Sequence, residues 1–132
     1  MAGKIIADQI EHSTAGSLDT SYVVNGSAKA WANYAGSGTT FRDSFNCSSA
    51  LDNGTGDYTV TISNAMGNNF YAITSHTQRN ASTSENLYCS SYQNNYDTAH
   101  TTGSFRVATN RPDNASHEDA LAVMLSVSGD LA

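Results

Sequence analysis

The pattern of one stretch admits few folds: Leu51-Asp52-Asn53-Gly54-Thr55-Gly56-Asp57-Tyr58-Thr59-Val60-Thr61-Ile62-Ser63. It begins as a turn, because Asn53-Gly54 and Gly56 accept positive φ at little cost. It continues as strict alternation. Tyr58, Val60 and Ile62 fall on one face, and Asp57, Thr59, Thr61 and Ser63 on the other. A period of two belongs to a half-buried β-strand and not to a helix. The segments on either side repeat it, which predicts an all-β domain.

Upstream, Ala28, Ala30, Ala32 and Tyr34 share a face opposite Lys29, Trp31 and Asn33, and Ala35-Gly36-Ser37-Gly38 forms a turn. Thr39–Ser48 reads as a single strand with Phe41, Asp43, Phe45 and Cys47 on one side. Downstream, Phe70–Gln78 sets Tyr71, Ile73 and Ser75 against Phe70, Ala72 and Thr74. Leu87–Gln93 and Phe105–Thr109 are further strands, separated by polar loops at 79–86 and 94–103 and followed by a turn around Pro112. Ser116-His117-Glu118-Asp119 has the form of a helix cap. Leu121, Val123, Leu125 and Val127 nevertheless alternate, and the segment is read as a strand. Seven or eight strands with turn signals between them predict a jelly-roll-like β-sandwich. Trp31, Phe41, Phe45, Tyr58, Val60, Ile62, Ile73, Val107, Val123 and Leu125 are the candidates for the core or for a subunit interface.

Residues 1–26 read differently, as an extended N-terminal arm ahead of a domain at 27–132. The arm carries Ile5, Ile6, Ile10 and Leu18 among small and polar residues, too few to fold alone. Ile6 and Ile10 lie four apart, which permits a short helical or extended piece near Ile5–Glu11. The apolar supply is thin throughout. Leu, Ile, Val and Phe make up about a sixth of the 132 residues, and Ser, Thr and Asn about a third. That balance borders on disorder, against which stand the regular alternation, seven Tyr, one Trp and a single Pro. A small core with a polar exterior also suits an oligomer subunit that buries further surface against its partners.

Net charge is −6, and the basic residues Lys4, Lys29, Arg42, Arg79, Arg106 and Arg111 are scattered, which argues against a nucleic-acid partner. No apolar run approaches the roughly 20 residues of a membrane span, and Met1–Asp8 has no apolar core fit for a secretory signal. Cys47 and Cys89 each sit on the more apolar face of a predicted strand, as buried thiols do. A disulfide between them would close a loop of about 42 residues and stabilise by roughly 4 kcal/mol, an alternative the sequence leaves open.

No cofactor or metal is indicated. His12, His76, His100 and His117 form no close pair and no His–Cys cluster. His117-Glu118-Asp119 is the densest group of possible ligands, and Asp52 with Asp57 flanks a Gly-rich turn without EF-hand spacing. There is no Gly-x-Ser-x-Gly elbow, no thiol-protease context for Cys89, and no spacing that selects a carboxylate pair for glycoside hydrolysis. The reading is non-enzymatic. Asn-x-Ser/Thr sequons at Asn25, Asn46, Asn53, Asn80 and Asn114 follow from a composition rich in those residues. Loops 79–86 and 94–103 gather Arg79, Asn94, Asn95, Tyr96 and His100. Amides and hydroxyls beside an aromatic ring suit sugar contact, which makes a carbohydrate-binding adhesin for host surface glycans the alternative function.

A resemblance extends this reading. Val24-Asn25-Gly26-Ser27-Ala28-Lys29-Ala30-Trp31-Ala32-Asn33-Tyr34, Gly36-Ser37-Gly38-Thr39, Arg42-Asp43-Ser44-Phe45-Asn46 and Asp52-Asn53-Gly54-Thr55-Gly56-Asp57-Tyr58-Thr59-Val60 together resemble a module of tailed-bacteriophage virion surface proteins of the tail-fibre type. Ile10-Glu11-His12-Ser13-Thr14-Ala15-Gly16-Ser17 resembles the leader such proteins carry. The likeness covers about residues 10–66; beyond them it is a general likeness of strands and loops. It implies a non-enzymatic structural protein of the virion, a homotrimer assembled in the bacterial cytoplasm and attached to other virion proteins, of capsid or tail, by its N-terminal segment. It supplies no catalytic residues. The chain is short for a tail fibre, which leaves capsid decoration beside the tail. Ile5, Ile6, Ile10 and Leu18 are the expected anchoring residues.

Overall fold

The computed structural model describes residues 3, 6–38, 40–79, 87–91, 100–114 and 116–132. Their fold is all-β apart from one short helix. The organising stretch forms a hairpin of β5 (Cys47–Gly54) and β6 (Asp57–Ile62), with positive φ at Gly54 (140°) and Gly56 (64°). Tyr58, Val60 and Ile62 are buried as their alternation predicts. Next to β6 runs β10 (Ser104–Asn110), and beyond it β8 (Tyr88–Ser91); β9 (His100–Thr101) also pairs with β10. The second sheet has the order β4 (Phe41–Phe45), β3 (Ala30–Tyr34), β11 (Ala122–Ser128), β7 (Ala72–Gln78). Every pairing between strands is antiparallel.

The inner faces of the two sheets make one core. Ala30, Ala32 and Tyr34 of β3 and Val123, Leu125 and Val127 of β11 meet Tyr58, Val60 and Ile62 of β6 and Phe105 and Val107 of β10. Tyr34 and Tyr58 pack edge to face across the gap, with ring centroids 5.5 Å apart. The all-β expectation is met, with the two larger antiparallel sheets sharing one core. The C-terminal segment is the strand its alternation predicts, with Val123, Leu125 and Val127 inward and Leu121 exposed.

Residues 39–48 depart from the single strand read from the sequence. A bulge opposite Asn33/Tyr34 pairs Tyr34 with Phe41 and Asn33 with Asp43, leaving Arg42 as the extra residue. One added residue reverses the facing. Phe41 packs inward on Tyr34, whereas Phe45 points outward and is 55% exposed. The strand then ends at Asn46, in the left-handed region at φ 54°, where the chain turns into the other sheet as β5. Asn46 holds that corner. Its Nδ2 donates to the carbonyls of Lys29 (2.9 Å) and Asn64 (3.1 Å), and its Oδ1 accepts from the Asn64 N–H (2.7 Å). Trp31 lies directly opposite Phe45 on the outer face, so neither belongs to the core. Cys47 and Cys89 are free. They sit on β5 and β8, the two margins of one sheet with β6 and β10 between them, a lateral separation of about 14 Å. A disulfide requires Cα atoms within about 7 Å, so the two cannot bond within one chain.

The sandwich margins differ. Where β7 meets β8, the hydroxyls of Ser75 and Thr77 donate to the carbonyls of Cys89 (3.2 Å) and Leu87 (2.7 Å). At the opposite margin β4 and β5 are joined through the Asn46 corner, and register breaks interrupt the pairing of both.

Candidate functional site

The tip of the β5–β6 hairpin is occupied by structure. Asp119 accepts the Gly56 N–H (2.6 Å) and the Tyr58 hydroxyl (3.0 Å), and that hydroxyl also reaches the Gly36 carbonyl (2.5 Å). Burial pushes the Tyr58 phenol well above its ordinary range, so it stays a donor. Thr109 Oγ1 donates to the Glu118 carbonyl (2.5 Å). Asp57 forms a salt bridge with Arg106 and Asp52 accepts the Gly54 N–H (2.8 Å). These acids, candidate ligands in the sequence, therefore brace turns. Among the described residues no group of three or more His, Cys, Asp or Glu gathers.

The arm is built otherwise. Its first element is a hairpin of β1 (Gln9–His12) and β2 (Gly16–Asp19), so the piece near Ile5–Glu11, open in the sequence to a helical or an extended form, is extended from Gln9 onward. Gly16 supplies the positive φ its turn needs (90°). Asp19 then caps α1 (Thr20–Gly26) by accepting the Ser21 N–H (2.8 Å). Neither hairpin nor helix contains a buried residue. Ile10 and Leu18 are direct cross-strand partners, 53% and 45% exposed. Ile6 is exposed, as are Tyr22, Val23 and Val24 on the helix; Ile5 lies outside the described residues. Sequence reasoning missed the three helical residues, although Asp19 at a cap position before them was a usable signal.

At the root of the arm the Lys29 ammonium, on a residue 8% exposed, binds the Val24 carbonyl and the carbonyl (3.1 Å) and hydroxyl (3.0 Å) of Ser27. It ties the end of α1 to the start of β3. Between this tie and the Asn46 corner lies a groove of about 560 Å³, walled by Val24, Asn25, Phe45, Asn64, Asp130 and Leu131. These residues come from four separate stretches of chain, and no spacing rule joins them.

Of the sugar-contact residues of the loops, the structure describes Arg79 and His100 alone. Arg79 is exposed, Asn94, Asn95 and Tyr96 lie outside the described residues, and His100 is only 2% exposed, its ring 5.8 Å from that of Tyr71. Burial lowers the His100 pKa from its ordinary value, and the imidazole does not face solvent as the loop reading expected. Among the described residues no helix is long and apolar enough to cross a membrane. Comparison with family models, curated proteins and solved structures finds no match for the chain.

Proposed function

We propose that this chain is a non-enzymatic structural protein of a tailed-bacteriophage virion, a homotrimeric exposed appendage of tail-fibre or capsid-decoration type, anchored to the particle by its N-terminal arm. The jelly-roll-like sandwich is the exposed part. One observation carries the reading: the arm forms ordered elements that bury nothing. A two-stranded hairpin and a seven-residue helix are each marginal alone in water, so a second surface must complete them. The resemblance of residues 10–66 to virion surface modules supplies the kind of surface, a capsid or tail protein.

Removing residues 1–20 tests this. The truncated chain is expected to keep the β-domain and to lose incorporation into particles; normal incorporation would sink the proposal. Light scattering behind size exclusion tests the trimer, whose mass is three times the monomer's. A second reading, a carbohydrate-binding adhesin for host surface glycans, is favoured by the amide-bearing groove beside an exposed aromatic ring.

A further inference from the structure

We propose that the groove at the root of the arm binds a neutral saccharide ring, with Phe45 as its platform. The inference rests on the adhesin reading and moves its site away from the loops, to a groove whose rim Val24 and Asn25 share with the end of the arm. The groove's size, about 560 Å³, is that of a small-molecule site. Its floor is satisfied internally. The donors of Lys29 go to Val24 and Ser27, and the Asn46 amide goes to the backbone of Lys29 and Asn64.

The rim is different. Asn64 uses its backbone in those bonds, and no hydrogen bond among the described residues engages the carboxamide of Asn25 or Asn64. Each offers two N–H donors and a carbonyl acceptor, and the exposed Asp130 adds a carboxylate acceptor. Beside them stands the Phe45 ring, 55% exposed, with Val24 and Leu131 completing an apolar wall. A sugar has this duality: C–H faces that lie on an aromatic ring, and hydroxyls that both donate and accept. An apolar ligand would strip water from two amides and a carboxylate without replacing it. The groove holds one cation, Lys29, and one anion, Asp130, and this balance favours a neutral ring over an acidic one.

The chain carries its own reporter, since Trp31 is the sole tryptophan and the cross-strand partner of Phe45. The full chain is titrated with D-glucose, D-galactose, N-acetyl-D-glucosamine and L-rhamnose, following Trp31 fluorescence and backbone amide shifts. At least one sugar is expected to give a saturable change, with shifts concentrated at Asn46, Asn64 and Leu131. Phe45→Ala and Asn64→Ala each replace an exposed side chain and are expected to weaken that binding about tenfold. Leu51→Ala, exposed on β5 outside the groove, is expected to leave it unchanged. The proposal is overturned if none of the four sugars saturates. Shifts confined to loops 79–86 and 94–103, or full affinity in both groove variants, overturn it equally. So does self-association that Phe45→Ala abolishes, since the groove would then be a contact between copies. Virion incorporation of the Phe45→Ala chain is expected to be normal, which keeps the anchoring proposal separate from this one.

Discussion

At the tip of the β5–β6 hairpin a short glycine turn and the Tyr58 beside it are held by groups from three distant stretches: the Gly36 carbonyl, the Thr109 N–H and the Asp119 carboxylate. In the arm, a hairpin of similar local regularity is held by its own ladder and by bonds from Thr20 to the carbonyls of Ala7 and Asp8. Both satisfy their turn chemistry. The tip alone also buries apolar surface, because Tyr58, Val60 and Ile62 find an opposing sheet and Ile10 and Leu18 do not. Regular local structure is thus no measure of stability; what the regular element rests on decides it.

Breaking the tip gives the largest effect. A Cβ at Gly56 would lie 2.6 Å from the Thr109 carbonyl oxygen and 2.7 Å from the Glu118 nitrogen, at a φ that side chains rarely adopt. Gly56→Ala is expected to destabilise by about 3 kcal/mol or more in urea unfolding. Gly16 also has positive φ, so Gly16→Ala strains the arm hairpin, but that hairpin buries nothing and the sandwich transition is expected to stay unmoved.

Next comes a pair of hydroxyls. Tyr58→Phe removes the donor shared by Gly36 and Asp119 and is expected to cost about 1–2 kcal/mol. Tyr34, equally buried across the interface, has a hydroxyl with no hydrogen-bond partner among the described residues. Tyr34→Phe should be neutral or stabilising by up to about 1 kcal/mol, because it deletes an unsatisfied group. Equal losses in the two variants would refute the distinction.

Titration of the sandwich follows in size. His100 has a folded pKa below its ordinary 6.5, so an unfolded chain takes up the proton first as pH falls. Its contribution is present above about pH 6.5 and lost as pH drops through the folded value. Burial raises the Cys47 thiol from 9.0 to about 11. That contribution is complete below pH 9.0 and lost as pH rises towards 11. Thermal melts from pH 5 to 11 should decline at both extremes, and the acid decline should vanish in His100→Asn if that variant folds. The smallest effect belongs to the arm: Ile10→Ser with Leu18→Ser should change sandwich stability by under about 0.5 kcal/mol. A larger loss would mean that the arm packs on the body.

The alternation of residues 57–63 and 121–127 was sufficient to place β6 and β11 and their inward faces, because each strand has one face on the core. The same logic set Trp31 opposite Ala30, Ala32 and Tyr34, as observed, but put Phe45 on the face of Phe41. Ala30 and Ala32 occupy the inner face of β3, where the sheets come close, and the large ring is left outside. For Phe45 the bulge at Arg42 reversed the parity, and a bulge leaves no periodic trace. Asn46 did carry a signal, since Asn tolerates the left-handed conformation. The groove had none, because Val24, Phe45, Asn64 and Leu131 converge only after the sheets assemble.

The two margins of the sandwich also govern how copies of the chain can meet. Where β7 faces β8, serine and threonine hydroxyls already occupy backbone carbonyls that another strand would seek. Where β4 and β5 run, bulges break the rhythm of free amides that such a strand would have to match. Neither side is a template for endless ribbon growth. Copies crowded together are expected to remain discrete, with contacts between sandwiches made by side chains rather than by a shared sheet.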